Sequence, residues 1–246
     1  MDDELCLVIG VSGTTFTVIR GVEGTTPATH SAGAGVTQVV TSESLIVGAI
    51  SAMYGPIVRP VLADFAWVNQ GISALLTQTG FAITLTVPSG DTGENLHICK
   101  KALPGGTSWT AEMLFRPIVL PSQSTVSLGL ALRESATGKI VGFCVKYDGS
   151  VQVYGWSNPT TYGGYSQLSI ANPGSLISSG WVRFRVARSG SDLVFSTGNG
   201  FASAIPFGTL AVNGFLTTAP DEVGFFVNPY GSSLNVGVTV LSFEVL

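Results

Sequence analysis

Two neighbouring stretches decide the fold: WTAEMLFRPIV at residues 109–119 and STVSLGLALRESATGKIVGFCVKYDGSVQVYGW at residues 124–156. Apolar residues occupy every second position from Val126 to Leu132 and again from Val141 to Tyr147. A period of two indicates strands with one buried face. Asp148-Gly149 is the commonest pair for a tight hairpin turn. We therefore expect an antiparallel meander, which needs a second sheet to cover its apolar face.

The rest of the chain after residue 63 repeats this pattern of short strands without a convincing helix. Further strands are predicted at Thr79–Val87, Leu96–Lys100, Trp181–Val186, Leu193–Ser196, Glu222–Asn228 and Val236–Leu246. Apolar residues on both faces near Val240 and Leu241 predict that the last strand is central or bulged. Residues 64–246 are therefore predicted to form an all-β domain, an antiparallel β-sandwich or jelly roll.

A small β domain is predicted at residues 1–44. Leu5–Val11 and Phe16–Arg20 are apolar strands on either side of a Ser-Gly-Thr turn, and Val36–Val40 is a third short strand. Three short strands make a poor core, and the first strand leaves its outer edge unpaired. We expect a neighbouring chain to pair with that edge.

Residues 45–63 are predicted to be a short apolar helix followed by a linker. The apolar positions at helical spacing are Leu45, Ile46, Ala49, Ile50 and Met53. Gly55-Pro56 ends the helix, and the domain boundary is placed near Arg59. A helix with so few polar positions is either the seam of a trimer or a lid on its own chain.

Composition favours an assembled protein and excludes some partners. The chain has 246 residues, a net charge of −4 and only 11% charged residues. Low net charge favours association, although a weakly soluble monomer is the alternative. No basic region suits nucleic acid. No apolar run is long enough for membrane insertion, and the acidic start is not a secretory signal, so synthesis in a reducing cytoplasm is expected.

The titratable residues do not predict an enzyme or a metal centre. His97 and Cys99 share a strand face without further ligands nearby. A glycosidase needs two facing carboxylates, and Glu112 and Glu134 are expected to be solvated surface residues instead. Catalytic residues and cofactors are therefore predicted to be absent. Asp91, Glu94 and Asn95 form an acidic loop cluster, which leaves bound Ca²⁺ open.

A segment from Tyr154 to Gln167, predicted to be a loop, is the best candidate for binding. Its aromatic and amide residues are Tyr154, Trp156, Asn158, Tyr162 and Tyr165. Aromatic faces stack on sugar rings, and an amide orients hydroxyl groups. Contact with a glycan or receptor is one interpretation. Packing against a neighbouring subunit, or closure of the sandwich end, is the other.

Two parts of the sequence resemble known families. The segments WTAE (109–112), LGLALR (128–133), YDG (147–149), WVRF (181–184) and VGFFV (223–227) resemble concanavalin A-like or laminin-G-like jelly rolls. The N-terminal GVSGTTFTVIRGVEGTTPATHSAGAGVTQVVTSESL (10–45) resembles a small domain of tailed-bacteriophage virion proteins.

This second resemblance implies a structural virion protein, such as a fibre, spike or decoration subunit, made in the host bacterial cytoplasm. Residues 1–54 would attach to other virion proteins, and homotrimers are common among such proteins. The sandwich would project outward to bind a glycan on the host surface. The alternative is a carbohydrate-degrading tail enzyme.

Overall fold

The computed structural model describes residues 4–37, 39, 45, 48–49, 51–53, 55–90, 93–119, 125–170, 180–200 and 203–246. The chain divides into two compact units, residues 1–49 and 50–246. The strands are β1 Cys6–Ser12, β2 Thr15–Arg20, β3 Ala66–Val68, β4 Leu75–Thr79, β5 Ala82–Val87, β6 His97–Ala102, β7 Ser108–Val119, β8 Ser127–Arg133, β9 Ile140–Lys146, β10 Val151–Asn158, β11 Thr161–Ile170, β12 Val182–Ser189, β13 Asp192–Asn199, β14 Ile205–Ala211, β15 Glu222–Asn228 and β16 Val236–Val245. Short 3₁₀ helices cover Val22–Gly24, Leu62–Asp64 and Val212–Gly214.

The first unit contains an antiparallel hairpin of β1 and β2. The prediction of a third strand at 36–40 is wrong for the described residues Val36, Thr37 and Val39, which belong to no strand. Val36 exposes 97% of its surface, so it has no neighbour to bury it. The alternation that suggested a strand is thus not matched by a pairing partner. Gln38 and Val40 lie outside the described residues.

A carboxylate organises the loop that follows this hairpin. The side chain of Glu4 is only 1% exposed. It accepts hydrogen bonds from Arg20 Nε at 2.9 Å, Gly21 N at 3.1 Å and Ala28 N at 3.0 Å. Its Oε2 lies 2.8 Å from His30 Nε2. The hydrogen bonds from Arg20, and then from the Ala28 backbone, hold the Glu4 pKa well below its usual range.

The predicted helix is present at the positions that the structure describes. Leu45, Gly48, Ala49 and residues 51–53 have α-helical conformation, whereas Ile46 and Ile50 lie outside the described residues. Leu45 and Met53 expose 62% and 54% of their surfaces, so neither is packed in a core.

The second unit is an antiparallel β-sandwich, as predicted. Its first sheet has the strand order β11-β10-β9-β8-β15-β6-β3, and its second sheet has the order β14-β13-β12-β7-β16-β5-β4. The alternating apolar residues of both sheets form one core between them, which includes Leu130, Phe143, Phe184 and Phe225. The predicted meander is confirmed as β8, β9 and β10 in the first sheet.

The strand pairing tests two of the strand predictions made from the sequence. β16 is both central, between β7 and β5, and bulged between Val240 and Ser242, which confirms the expectation from its two apolar faces. The strand predicted at 79–87 is confirmed as β5 at Ala82–Val87, but its predicted start is wrong, because Gly80 takes a φ of 57° and turns the chain between β4 and β5.

The segment before the sandwich is bonded to it. Val58 N–H donates to Ser242 Oγ at 2.8 Å, and Phe243 N–H donates to the Val58 carbonyl at 3.0 Å. These bonds satisfy backbone groups at the β16 bulge, where the ladder is interrupted. The later part of the predicted linker therefore lies against the second sheet.

Candidate functional site

The outer face of the first sheet carries a second apolar cluster, separate from the sandwich core. Its buried members are Leu96, Ile98, Ala131, Ile140, Cys144, Trp156 and Phe226. Gly142 of β9 makes room for two of these rings, because a Cβ there would lie 2.7 Å from Trp156 and 2.9 Å from Phe226. Both rings therefore approach the sheet closely at Gly142, and Trp156 is only 2% exposed.

The loop before β6 and the tip of the β10–β11 hairpin meet beside this cluster. Leu96 N–H donates to the Pro159 carbonyl at 2.8 Å. The pairing of β10 with β11 is irregular at three places between Gln152 and Asn158, and such irregularities bend a hairpin. At the turn, Asn158 Oδ1 accepts from Thr160 N at 2.9 Å and from Thr160 Oγ1 at 3.0 Å.

A carboxylate fixes the indole on this face. Glu94 Oε2 accepts from Trp156 Nε1 and from Asn228 Nδ2, each at 2.7 Å. Asn228 is 1% exposed, and its Oδ1 accepts from Asn95 N at 3.2 Å. Asn69 Nδ2 donates to Asn95 Oδ1 at 2.7 Å. This network connects the loop before β6, the β10–β11 hairpin and β15. It also gives the buried polar atoms the hydrogen-bond partners that they need.

Beside the buried indole lies an exposed group that we name the tyrosine patch. It consists of Lys146, Gln152, Tyr154, Tyr162 and Ser166, which project from β9, β10 and β11. The rings of Tyr154 and Tyr162 meet edge to face with centroids 5.9 Å apart. Gln152 Nε2 donates to Ser166 Oγ at 2.5 Å, and Tyr162 is 41% exposed.

The charges of the tyrosine patch are set by its partial burial. Burial raises the pKa of Tyr154 and of Tyr162, so both phenols are neutral at pH 7. Burial opposes the charge of Lys146, but its interactions with Tyr154 and Asp148 together outweigh burial and raise the Lys146 pKa. The Lys146 ammonium lies 5.7 Å from the centroid of the Tyr154 ring. The patch thus presents a cation beside two aromatic rings.

The structure brings together some of the predicted binding residues and separates others. Tyr154, Trp156 and Tyr162 share the outer face, but the buried Trp156 ring has no free face for stacking, which corrects its predicted role. Tyr165 instead packs on Phe215 at 5.1 Å. Asn158 is exposed at the hairpin turn, although its Oδ1 is already used by Thr160.

The predicted loop is in fact a pair of strands, and this correction has a physical cause. Gly163-Gly164 and Pro159 suggested a loop, but Gly155 and Gly163 each lie under the Phe215 ring, where a Cβ would come within 2.8 Å and 2.4 Å of ring atoms. The glycines therefore serve packing. Lys146, Gln152 and Ser166 were not predicted as site residues, although the alternation of β9 and β10 placed Lys146 and Gln152 outward.

The two carboxylates considered for glycoside hydrolysis lie in different elements, Glu112 in β7 and Glu134 in the turn after β8. Glu112 of β7 pairs with Arg183. The expectation that Glu134 is solvated is wrong, since it is 1% exposed and accepts from Thr217 N at 2.8 Å and Thr218 Oγ1 at 2.9 Å. These hydrogen bonds outweigh the opposing effect of burial and lower the Glu134 pKa. Its partners lie more than 80 residues away in sequence, which hides them from local reasoning.

The described residues contain no group of three or more His, Cys, Asp or Glu side chains that could hold a metal. Asp91 of the predicted Ca²⁺ cluster lies outside those residues, so that cluster stays a prediction. His97 and Cys99 are buried, and His97 Nδ1 lies 3.0 Å from the Gln70 carbonyl. Within the described part of the chain, no helix has the length and apolar character needed to cross a membrane.

Comparison with known proteins identifies the fold. No family model and no curated protein matches the sequence. A functionally unknown protein from Saccharomyces cerevisiae is similar in structure, with a TM-score of 0.51 and 12% identity over 75% of this chain and 97% of that one. The sandwich is concanavalin-like.

Two larger proteins share this sandwich. The GH43 protein BlXynB from Bacillus licheniformis has a TM-score of 0.54 and 13% identity over 76% of this chain and 37% of that one. The xyloglucan PUL GH43B protein of Bacteroides ovatus has a TM-score of 0.52 and 10% identity over 77% of this chain and 38% of that one. The chain thus spans less than two-fifths of either GH43 protein, and likeness at this identity concerns the fold alone.

Proposed function

We propose that this chain is a structural subunit of a tailed-bacteriophage virion that binds host-surface glycans through its sandwich. The observation that carries the glycan part is the tyrosine patch, which sets exposed aromatic surface beside an amide, a hydroxyl group and an ammonium. A sandwich fold hosts many functions, so the ligand class is argued from these side chains and not from the fold.

The tyrosine patch has the two kinds of group that a sugar needs. The apolar C–H face of a pyranose ring stacks on an aromatic ring, and Tyr162 offers such a ring at 41% exposure. Sugar hydroxyl groups need donors and acceptors around that ring. Gln152, Ser166 and the Tyr154 hydroxyl supply both.

The N-terminal unit supports the virion part of the proposal. The hairpin leaves six large apolar side chains exposed: Leu7, Val8, Val11, Phe16, Val18 and Ile19. A two-stranded hairpin is at best marginally stable in water, and exposed apolar patches mark contact surfaces. Residues 1–54 are therefore proposed to anchor the chain to other virion proteins and to form a homotrimer. A protein located in the virion would be made in the cytoplasm of the host bacterium and then assembled into the particle.

The same proposal assigns binding without hydrolysis and without a cofactor. Hydrolysis requires two carboxyl groups within about 10 Å across one cleft. Glu112 lies in β7 and Glu134 in the turn after β8, and each already binds its own partners. If the chain is instead a carbohydrate-degrading tail enzyme, incubation will shorten the glycan that it binds. Size-exclusion chromatography of the polymer before and after incubation separates the two functions, and we expect no change in length.

A glycan array tests the binding function on the full chain. We expect selective binding of one glycan class, weakened at least about tenfold by Tyr162→Ala, because the stacking ring is lost. Ile205→Ala is the matched control, since it removes an apolar side chain that is 68% exposed on the edge of the other sheet. Binding of no glycan, or equal loss in both variants, would contradict the proposal.

Labelling of intact particles tests the location. An antibody against the sandwich is expected to decorate purified phage particles at one defined position in electron micrographs. Peptides of residues 4–54 should be protected from protease in the particle and cleaved in the isolated chain. Particles that carry no label and no peptides of this chain would contradict the virion assignment.

A further inference from the structure

We propose that the glycan recognised by the tyrosine patch is an acidic one, whose sugar carboxylate pairs with Lys146 while the sugar ring lies on Tyr162. This inference rests on the proposed glycan-binding function. It specifies that the bound sugar is negatively charged, a property that neither the fold nor the aromatic rings can predict.

The partners of Lys146 carry the first step of the argument. Among the residues that the structure describes, no carboxylate forms an ion pair with Lys146, whose ammonium instead lies over the ring of the neutral Tyr154. Asp148 acts on Lys146 from nearby, but its Oδ1 accepts from Ser150 N at 2.9 Å and from Ser150 Oγ at 2.6 Å and makes no direct ion pair with the ammonium. The Lys146 ammonium therefore has no carboxylate in direct contact among the described residues.

Two other cations of the same face show the contrast. Lys100 and Arg133 both bind Glu222, at 2.6 Å and 2.5 Å. Each of these two cations thus has a carboxylate in direct contact, although they share a single one. Lys146 has no carboxylate in direct contact among the described residues, and it stands next to the exposed Tyr162 ring and the half-buried Tyr154 ring. An anion on a sugar that stacks there would supply the missing partner.

The position of the ammonium also suits a carboxylate attached to a ring. Lys146 Nζ lies over two tyrosine rings, 5.8 Å from the Tyr147 centroid and 5.7 Å from the Tyr154 centroid. These ring contacts hold the long side chain, so less rotamer freedom is lost when a ligand binds. A hydrogen bond between ammonium and carboxylate is stronger than one between neutral groups.

The test compares one polysaccharide with its carboxyl-reduced form, which has the same rings and linkages without the charge. Polygalacturonic acid and sialylated oligosaccharides are the two acidic probes, each paired with its reduced counterpart. We expect the full chain to bind at least one acidic probe about tenfold or more tightly than its reduced counterpart in 0.1 M salt. This preference should shrink as salt rises.

Lys146→Met keeps the length and the ring contacts of the side chain while removing its charge. It is expected to abolish the preference for the acidic form, so that the acidic and the reduced forms bind with equal affinity. Lys101→Met is the matched control, because it removes a lysine that pairs with Asp64 instead. Circular dichroism of each variant checks that the fold is kept.

The outcomes separate this inference from the function on which it rests. Equal binding of acidic and reduced forms, with loss in Tyr162→Ala, would overturn the acid preference and leave a glycan-binding function standing. A preference that persists in Lys146→Met would also overturn the role of Lys146. Binding of no carbohydrate in the acidic, reduced or array sets would remove both.

Discussion

At the scale of single residues, buried polar groups and glycines explain features that composition does not. Glu4 joins Arg20, Gly21, Ala28 and His30, which come from three separate parts of the N-terminal sequence. The arginine and histidine of the phage-like sequence thus have a structural reason to occur together. Gly142 plays a comparable part in the sandwich, where two aromatic rings lie against it.

The Glu4 carboxylate makes the first unit sensitive to acid. Its pKa is lowered in the folded chain, so its stabilisation is complete above the ordinary glutamate pKa of about 4.3 and is lost as pH falls below it. We expect hydrogen-exchange protection of the Gly21 and Ala28 amides, corrected for intrinsic rates, to fall from about pH 5 downward. In Glu4→Gln the protection should be low already at pH 7 and should change little with pH. A wild-type profile without this fall would contradict the role of Glu4.

Gly142→Ala should destabilise the sandwich by about 1–3 kcal/mol, because the new methyl group overlaps Trp156 and Phe226. Urea unfolding followed by tryptophan fluorescence measures this loss. Gly105→Ala is the control, since no atom lies within 4 Å of a Cβ at that position. Equal midpoints for the two variants would show that the rings do not lie where we describe them.

At the scale of elements, the N-terminal hairpin is an incomplete sheet. β1 pairs only with β2 among the described strands, and both faces of the pair carry exposed apolar side chains. Val11 faces Phe16 directly across the hairpin, and these two are exposed at 63% and 61%. Such a pair contributes stability only when another surface covers it.

Phe16→Ser should therefore weaken self-association of the full chain. Native mass spectrometry at micromolar concentration is expected to give trimers for the wild type and mainly monomers for this variant, because the largest exposed ring of the hairpin is lost. Thr15→Ala is the control, because it changes an exposed polar residue of the same strand and keeps the Phe16 ring, and it should remain trimeric. A wild-type monomer would refute the assembly part of the proposal.

The elements also show which parts of the site the sequence could predict. Alternation in β8 and β9 predicted the meander, and the Asp148-Gly149 turn fixed its register, so the outward position of Lys146 followed from local pattern. The β10–β11 hairpin was mistaken for a loop because its glycines make room for Phe215, which lies some 50 residues further along the chain. The partners of Glu134 were hidden for the same reason, since they come from a distant segment.

At the scale of the whole molecule, the sandwich and the N-terminal unit contrast in how they bury apolar surface. The sandwich covers its core with two seven-stranded sheets and places a polar network and a tyrosine patch on one outer face. The hairpin leaves its apolar side chains uncovered. This division supports a chain in which one part attaches and the other part binds a ligand.

The central claim is that the outer face of β9, β10 and β11 binds the glycan. Hydrogen–deuterium exchange of the full chain, with and without the best glycan of the array, tests it most directly. We predict that added glycan slows exchange in peptides covering residues 144–170 and leaves the edge strands β4 and β14 unchanged. Protection confined to the second sheet, or none under saturating glycan, would contradict the account.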